Sequence, residues 1–197
     1  MPDEFFILQY PADNPRGYCT VDQLDGFEDE WAVGQGVSLA SSPPEKLTMS
    51  MYADEPRNTV LGDYVQNMDC LLVVSPRLRS FFQAQQVSDV EYYPVEIKDH
   101  KGKVASSEYC IAHLINPVDC IDADASGVKW SNEGLATQRI LFARDLVIDP
   151  TRVPKEKRLF FPRYHNDSPL LRRELAEAMA GEQFSNVDIV QISERAC

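Results

Sequence analysis

The stretch LLVVSPRLRSFFQAQQ, residues 71–86, constrains the fold more than any other part of the chain. LLVV is a short apolar run suited to a buried strand. Ser75 then stands where a helix N-cap belongs, and Pro76 takes the first helical position, where its missing N–H leaves nothing unpaired. Leu78, Phe81 and Phe82 share one face of the helix that follows. A buried strand running straight into an amphipathic helix calls for sheet and helix packed in layers.

Further along, VEYYPVEI (90–97) and SEYCIAHLI (107–115) are β-rich runs joined through DHKGK, a turn supplied with Asp99 and Gly102, and they predict a β-hairpin. RILFARDLVID (139–149) predicts a strand or a helix-to-strand stretch. RLFFPRY (158–164) predicts a strand that Pro162 confines to an edge or an end. A second helix is marked by Ser168 as cap, Pro169 as opener, the run LLRRELAEAMA and Gly181 as C-cap. FSNVDIVQI closes the chain as a strand. Two capped helices beginning S-P-x-L-R and each leading into a strand look like copies of one unit, but Ser-Pro is so common a helix start that the likeness carries no functional weight.

The first third is broken by PADNPRG, SSPPEK and ADEPRN, and its clearest strand is KLTMSMY (46–52), where Leu47, Met49 and Met51 alternate with polar neighbours. The expected fold is therefore α+β in a single domain over residues 1–197. A mainly antiparallel sheet and two principal helices lie in 70–197, with an acidic, loop-rich portion, 1–69, laid against them. At 197 residues the chain can bury an ample core without metal or disulfide. Its five cysteines, Cys19, Cys70, Cys110, Cys120 and Cys197, are scattered and odd in number, which predicts free thiols in a reducing compartment. The opening MPDEFFILQY has no basic n-region, and no apolar stretch reaches bilayer length, so the expectation is a cytoplasmic protein.

Charge is unevenly placed. Of the net −12, residues 1–70 hold −10, with 13 acidic against 3 basic side chains. Such a field disfavours nucleic acid and anionic membrane and attracts a basic protein surface, although it also serves as a solubilising face. The acids are densest in DQLDGFEDEW, where Asp22, Asp25, Glu28, Asp29 and Glu30 surround Phe27 and Trp31. This mixture can pair with Lys and Arg while an aromatic anchors the contact. Alternatively the two aromatics pack inward and the acids are merely solvated.

Three motifs invite other chemistry. DADASGVKWSNE (122–133) puts Asp122, Asp124, Ser126, Gly127 and Glu133 at the first, third, fifth, sixth and twelfth places of a calcium loop. Lys129 stands where an aliphatic residue belongs, and the preceding CIAHLINPVDCI is no helix, so a plain turn is the better reading. Cys110-x-x-His113 with Cys120 suggests zinc, but residues three apart on a strand face opposite ways and no fourth ligand appears. His165, Asp167 and Ser168 sit together in HNDS, yet triads meet through the fold rather than along a loop, and no G-x-S-x-G elbow presents the serine. Glycine-rich phosphate loops are absent from the sequence. Neither a catalytic residue, a metal nor a cofactor is therefore assigned.

LLVVSPRLRSFF, VEYYPVEI, EYCIAHLINPVDCIDADAS and RLFFPRYHNDSPLLRRELAEAM follow in that order over about residues 71–192. In that order they resemble the immunity proteins of bacterial polymorphic-toxin systems, in the group formerly listed as a domain of unknown function and typified by a myxobacterial immunity protein. The resemblance implies a non-enzymatic inhibitor that binds a cognate toxin, and it brings no catalytic residues with it. The N-terminal third shares none of these motifs, so it is expected to be the part particular to this protein's own partner.

Overall fold

The computed structural model describes residues 4–14, 16–27, 33–135, 137–165 and 168–192. It is a mixed α+β fold, mostly sheet, with three helices among the described elements. The larger sheet has seven strands. Its members are β2 (Thr20–Val21), β3 (Leu47–Ser50), β4 (Tyr64–Asn67), β5 (Val73–Val74), β6 (Val90–Lys98), β7 (Val104–Ser106) and β8 (Cys110–Leu114). They run in the order β2-β4-β5-β8-β6-β3, with β7 beside β6. β2–β4 and β3–β6 are parallel pairs, and the remaining pairs are antiparallel.

This order closes on itself. Residues 20–25 pair with β4 on one side and also form antiparallel bridges to the far edge, Val21 to Met51 and Asp25 to Thr48. Asp25 and Thr48 exchange both backbone bonds, at 2.9 and 3.0 Å. Alternation does the rest: Tyr93, Val95 and Ile97 of β6 turn inward with Leu47, Met49 and Ile111 to fill the curled sheet. Val74, Cys110, Ala112 and Leu114 turn outward under two helices, α1 (Pro76–Ala84) and α3 (Arg173–Glu182), meeting Leu78, Phe82, Leu175 and Met179. Both faces of β5 and β8 are thus covered, which is why LLVV is an unbroken apolar run and every residue of CIAHL is buried.

A second sheet of four antiparallel strands runs β11 (Leu159–Phe160), β12 (Leu170–Arg172), β1 (Phe5–Gln9), β13 (Asp188–Gln191). Leu8 and Leu171 face the α1–α3 layer, while Phe5, Ile7, Phe160 and Leu170 face a third cluster with Val118 and Cys120. A separate two-stranded ribbon joins β9 (Lys129–Ser131) to β10 (Arg139–Phe142). Between β8 and β9 a single helical turn forms α2 (Ala123–Ser126).

Several expectations hold and some fail. Ser75 caps α1 by accepting from the Leu78 N–H at 3.1 Å, and KLTMSMY and FSNVDIVQI contain β3 and β13. The DHKGK turn joins β6 to β7, while β8 pairs with the first half of β6, from Val90 opposite Leu114 to Pro94 opposite Cys110. One sheet was expected and three are present among the described residues. The N-terminal portion is not simply laid against a finished core: it supplies β1 to β4, and β1 lies between β12 and β13. Ser168 and Pro169 do not open a helix. Leu170 and Leu171 are fully buried on opposite faces, which only a strand allows, so α3 begins at Arg173, runs through Gly181 and ends at Gln183 in a left-handed conformation. The apparent repeat of helix units disappears with that change.

Two polar knots hold the layers together. Asp63 accepts from the Ser75 hydroxyl at 2.6 Å and from both the backbone N–H and hydroxyl of Ser185 at 2.8 Å, tying the start of α1 to the chain beyond α3. Lys157, almost fully buried, pairs with Asp89 at 2.7 Å and donates to the carbonyls of Ile115 and Asn116. A buried ammonium satisfied on three sides fixes where the β8 exit meets the loop before β11.

Candidate functional site

The acidic stretch leaves the curled sheet at its seam. Asp22 is half-buried with its backbone N–H bonded to Ser50, and Asp25 is exposed beside its bridge to Thr48. Gly26 follows with φ +106°, and a Cβ there would lie 2.0 Å from the Lys46 carbonyl oxygen, so only glycine lets the chain turn off β3 at this point. Leu24 and Phe27 then pack against the interior cluster. Phe27 therefore follows the inward reading. Glu28, Asp29, Glu30 and Trp31 lie outside the described residues.

Past this stretch the chain is strapped over β6 and β8. Asn116 donates to the Gly36 carbonyl at 2.9 Å, and the ring of His113 meets the Val37 carbonyl at 2.8 Å. Glu91 accepts from the Ser38 hydroxyl, from the Leu39 N–H at 2.9 Å and from the Tyr93 hydroxyl at 2.5 Å. Burial works against the Glu91 charge, but these hydrogen bonds outweigh it and hold the carboxyl below its usual range. Burial, and then the Glu91 carboxylate, push the Tyr93 phenol upward.

Between the strap and the end of the sheet where β5 begins and β8 finishes opens a cleft of about 290 Å³. Leu24, Phe27, Val33 and Gly34 form one wall; Leu71, His113, Leu114, Pro117 and Phe161 form the other. Asp69, which accepts the Leu24 N–H at 2.6 Å, is the acidic residue of the lining, and no lysine or arginine is among its described residues. Nothing in the sequence patterning announced this cleft or the Glu91 cluster, because the two walls come from segments far apart in the chain.

Compared with protein families, residues 4–194 match the immunity protein family Imm11. The chain belongs to the Imm11 immunity protein family. Comparison with curated proteins finds no match. The Imm11 match begins at residue 4, so the N-terminal third, which showed none of the motifs behind the resemblance, is part of the family domain along with the rest. An immunity function goes with that membership.

The other motifs of this Imm11 chain serve its architecture. Asp122 caps α2 by accepting from the Ala125 N–H at 3.0 Å, and Gly127 ends the turn with φ 58°. Ser126 is fully buried and bonded to Val147, while Glu133 is exposed. The expected strand-ending turn is thus a capped helical turn. Asp122→Ala should lower stability by about 1 kcal/mol, the usual worth of a cap, equally with and without millimolar calcium in thermal melts. A calcium-dependent rise in the wild-type melting temperature would contradict this reading.

Cys110 faces the α1 layer and Cys120 the third cluster, with His113 on the opposite side of β8 from Cys110. Burial raises the two thiols to about 11 and about 12 respectively. His113 was expected half-buried and is almost completely covered. Among the described residues no group of three or more His, Cys, Asp or Glu could hold a metal ion. Cys19 is also a buried thiol and Cys70 an exposed one. Asp167 lies outside the described residues, and Ser168 is buried ahead of β12 rather than capping α3. No helix among the described residues is long and apolar enough to cross a membrane.

Proposed function

We propose that this Imm11 protein neutralises a cognate bacterial toxin by direct binding, without catalysis, and that the toxin brings a basic surface to the acidic segment from Asp22 to Trp31. One observation carries the reading. The charge of residues 1–70 is −10 against −2 for the remainder, and Asp25 is held at an exposed seam by paired backbone bonds and an obligatory glycine. Opposite potentials raise encounter rates and fix orientation. The whole chain acts as one domain in this account, supported by a core cluster that unites Leu8, Val74, Leu171 and Met179. Nucleic acid and membrane are not partners, and the protein works in the cytoplasm against a toxin that acts there. Co-expression with the toxin domain encoded beside this chain's gene tests the proposal. Growth should be rescued when the toxin is made in the cytoplasm, and killing only on periplasmic delivery would count against it.

A further inference from the structure

We infer that the cleft between the strap and the ends of β5 and β8 is the anchor hole for one large apolar side chain carried on a basic loop of the toxin. This deepens the toxin-binding reading and rests on it. At about 290 Å³ the cleft is near the lower bound for small-molecule sites, roughly 300 Å³, and suits a single aromatic or leucine side chain. Leu24, Phe27, Val33, Leu71 and Phe161 supply its apolar lining, beside a substantial polar share to which Gln23, Asp69 and His113 belong. Two large apolar residues next in sequence to lining residues are exposed, Val37 beside Gly36 at 44% and Met68 beside Asp69 at 57%.

Beside this lining the described charge is acidic: Asp69 is exposed in the lining and Asp25 is exposed next to Leu24. An apolar surface flanked by charge is the anatomy of a binding hot spot, and the sign of Asp25 and Asp69 selects lysine or arginine beside the anchor. The strap is preorganised by the bonds from His113 to Val37 and from Ser38 and Leu39 to Glu91, so little ordering cost falls on binding.

Gly34 provides the test. It lines the cleft, its φ lies outside the left-handed range, and a Cβ built there meets nothing within 4 Å, so Gly34→Phe adds a ring at the cleft without displacing backbone. Gly181, in α3 and equally open, supplies the control Gly181→Phe. Binding kinetics with the toxin domain encoded beside this gene should show Gly34→Phe raising Kd by roughly thirtyfold or more, mainly through faster release, with Gly181→Phe near wild type. If Gly34→Phe melts early, Val37→Ser replaces it, and release should quicken severalfold. Wild-type binding with either folded variant unchanged overturns the anchor and leaves the toxin reading standing. A wild-type chain that does not bind overturns both. Sedimentation of the wild type alone adds a third arm: dimerisation abolished by Gly34→Phe would assign the cleft to a second copy and overturn the proposal.

Discussion

Replacing Asp25, Glu28, Asp29 and Glu30 with their amides is expected to slow toxin association by roughly tenfold or more at low salt, while the release rate barely changes. Steered protein pairs associate at about 10⁸–10⁹ M⁻¹s⁻¹, against about 10⁵–10⁶ without steering, so a field concentrated in one segment has a wide range to lose. The four substitutions remove 4 of the 10 net negative charges of residues 1–70. Added salt should mimic them, because the Debye length shrinks to about 8 Å near physiological ionic strength and the wild-type advantage shrinks with it. Trp31→Ala should instead raise the off-rate, as loss of an anchoring aromatic does. Stopped-flow kinetics across a salt series separate the two effects. An association rate indifferent to salt and to all four amides would leave the acidic stretch as a solvated face.

Asp63→Ala is expected to cost about 3 kcal/mol of stability at pH 7, since it strips a buried carboxylate from charge-assisted hydrogen bonds. The side chain is 8% exposed as a residue and accepts from Ser75, Ser185 and Arg77 at once. Its removal leaves the Ser185 N–H and the Ser75 hydroxyl to find other partners in a closed site. Burial opposes the Asp63 charge, but the bonds from Ser75 and Ser185, helped by Arg77, hold its folded pKa below the ordinary 3.8. A carboxylate depressed on folding adds stability that is complete above its unfolded pKa and is lost as pH falls through the folded value. The gap between wild type and Asp63→Ala should therefore be full at neutral pH and narrow below about pH 4. Urea melts of both proteins at pH 7 and pH 3 measure it, and a gap that widens in acid would contradict the assigned role.

What could be read from the chain was local. Ser75-Pro76 marked α1 correctly because the capping hydroxyl, the proline and the apolar face all act within one turn. The same Ser-Pro signal at 168–169 misled, because distant partners override it. Leu170 and Leu171 are claimed by β1 and β11, and the Arg172 side chain bonds the carbonyls of Val153, Pro154 and Lys157 and the carboxylate of Glu4. Closure of the larger sheet was equally invisible, since it depends on Val21 and Asp25 meeting Met51 and Thr48 across a chain reversal. The acidic stretch was legible as charge. The cleft was not, because Leu24 and Phe27 meet Leu71, Leu114 and Phe161 only after folding.

Titrating the toxin's activity with the purified protein tests neutralisation by binding most directly. The expected result is a linear fall to full inhibition at a fixed molar ratio, unchanged by longer incubation, with active toxin recovered when the two are separated under denaturing conditions and the toxin refolded. Inactivation by a small fraction of an equivalent, deepening with time and persisting in the recovered toxin, would mean that the protein acts as an enzyme and would contradict the account.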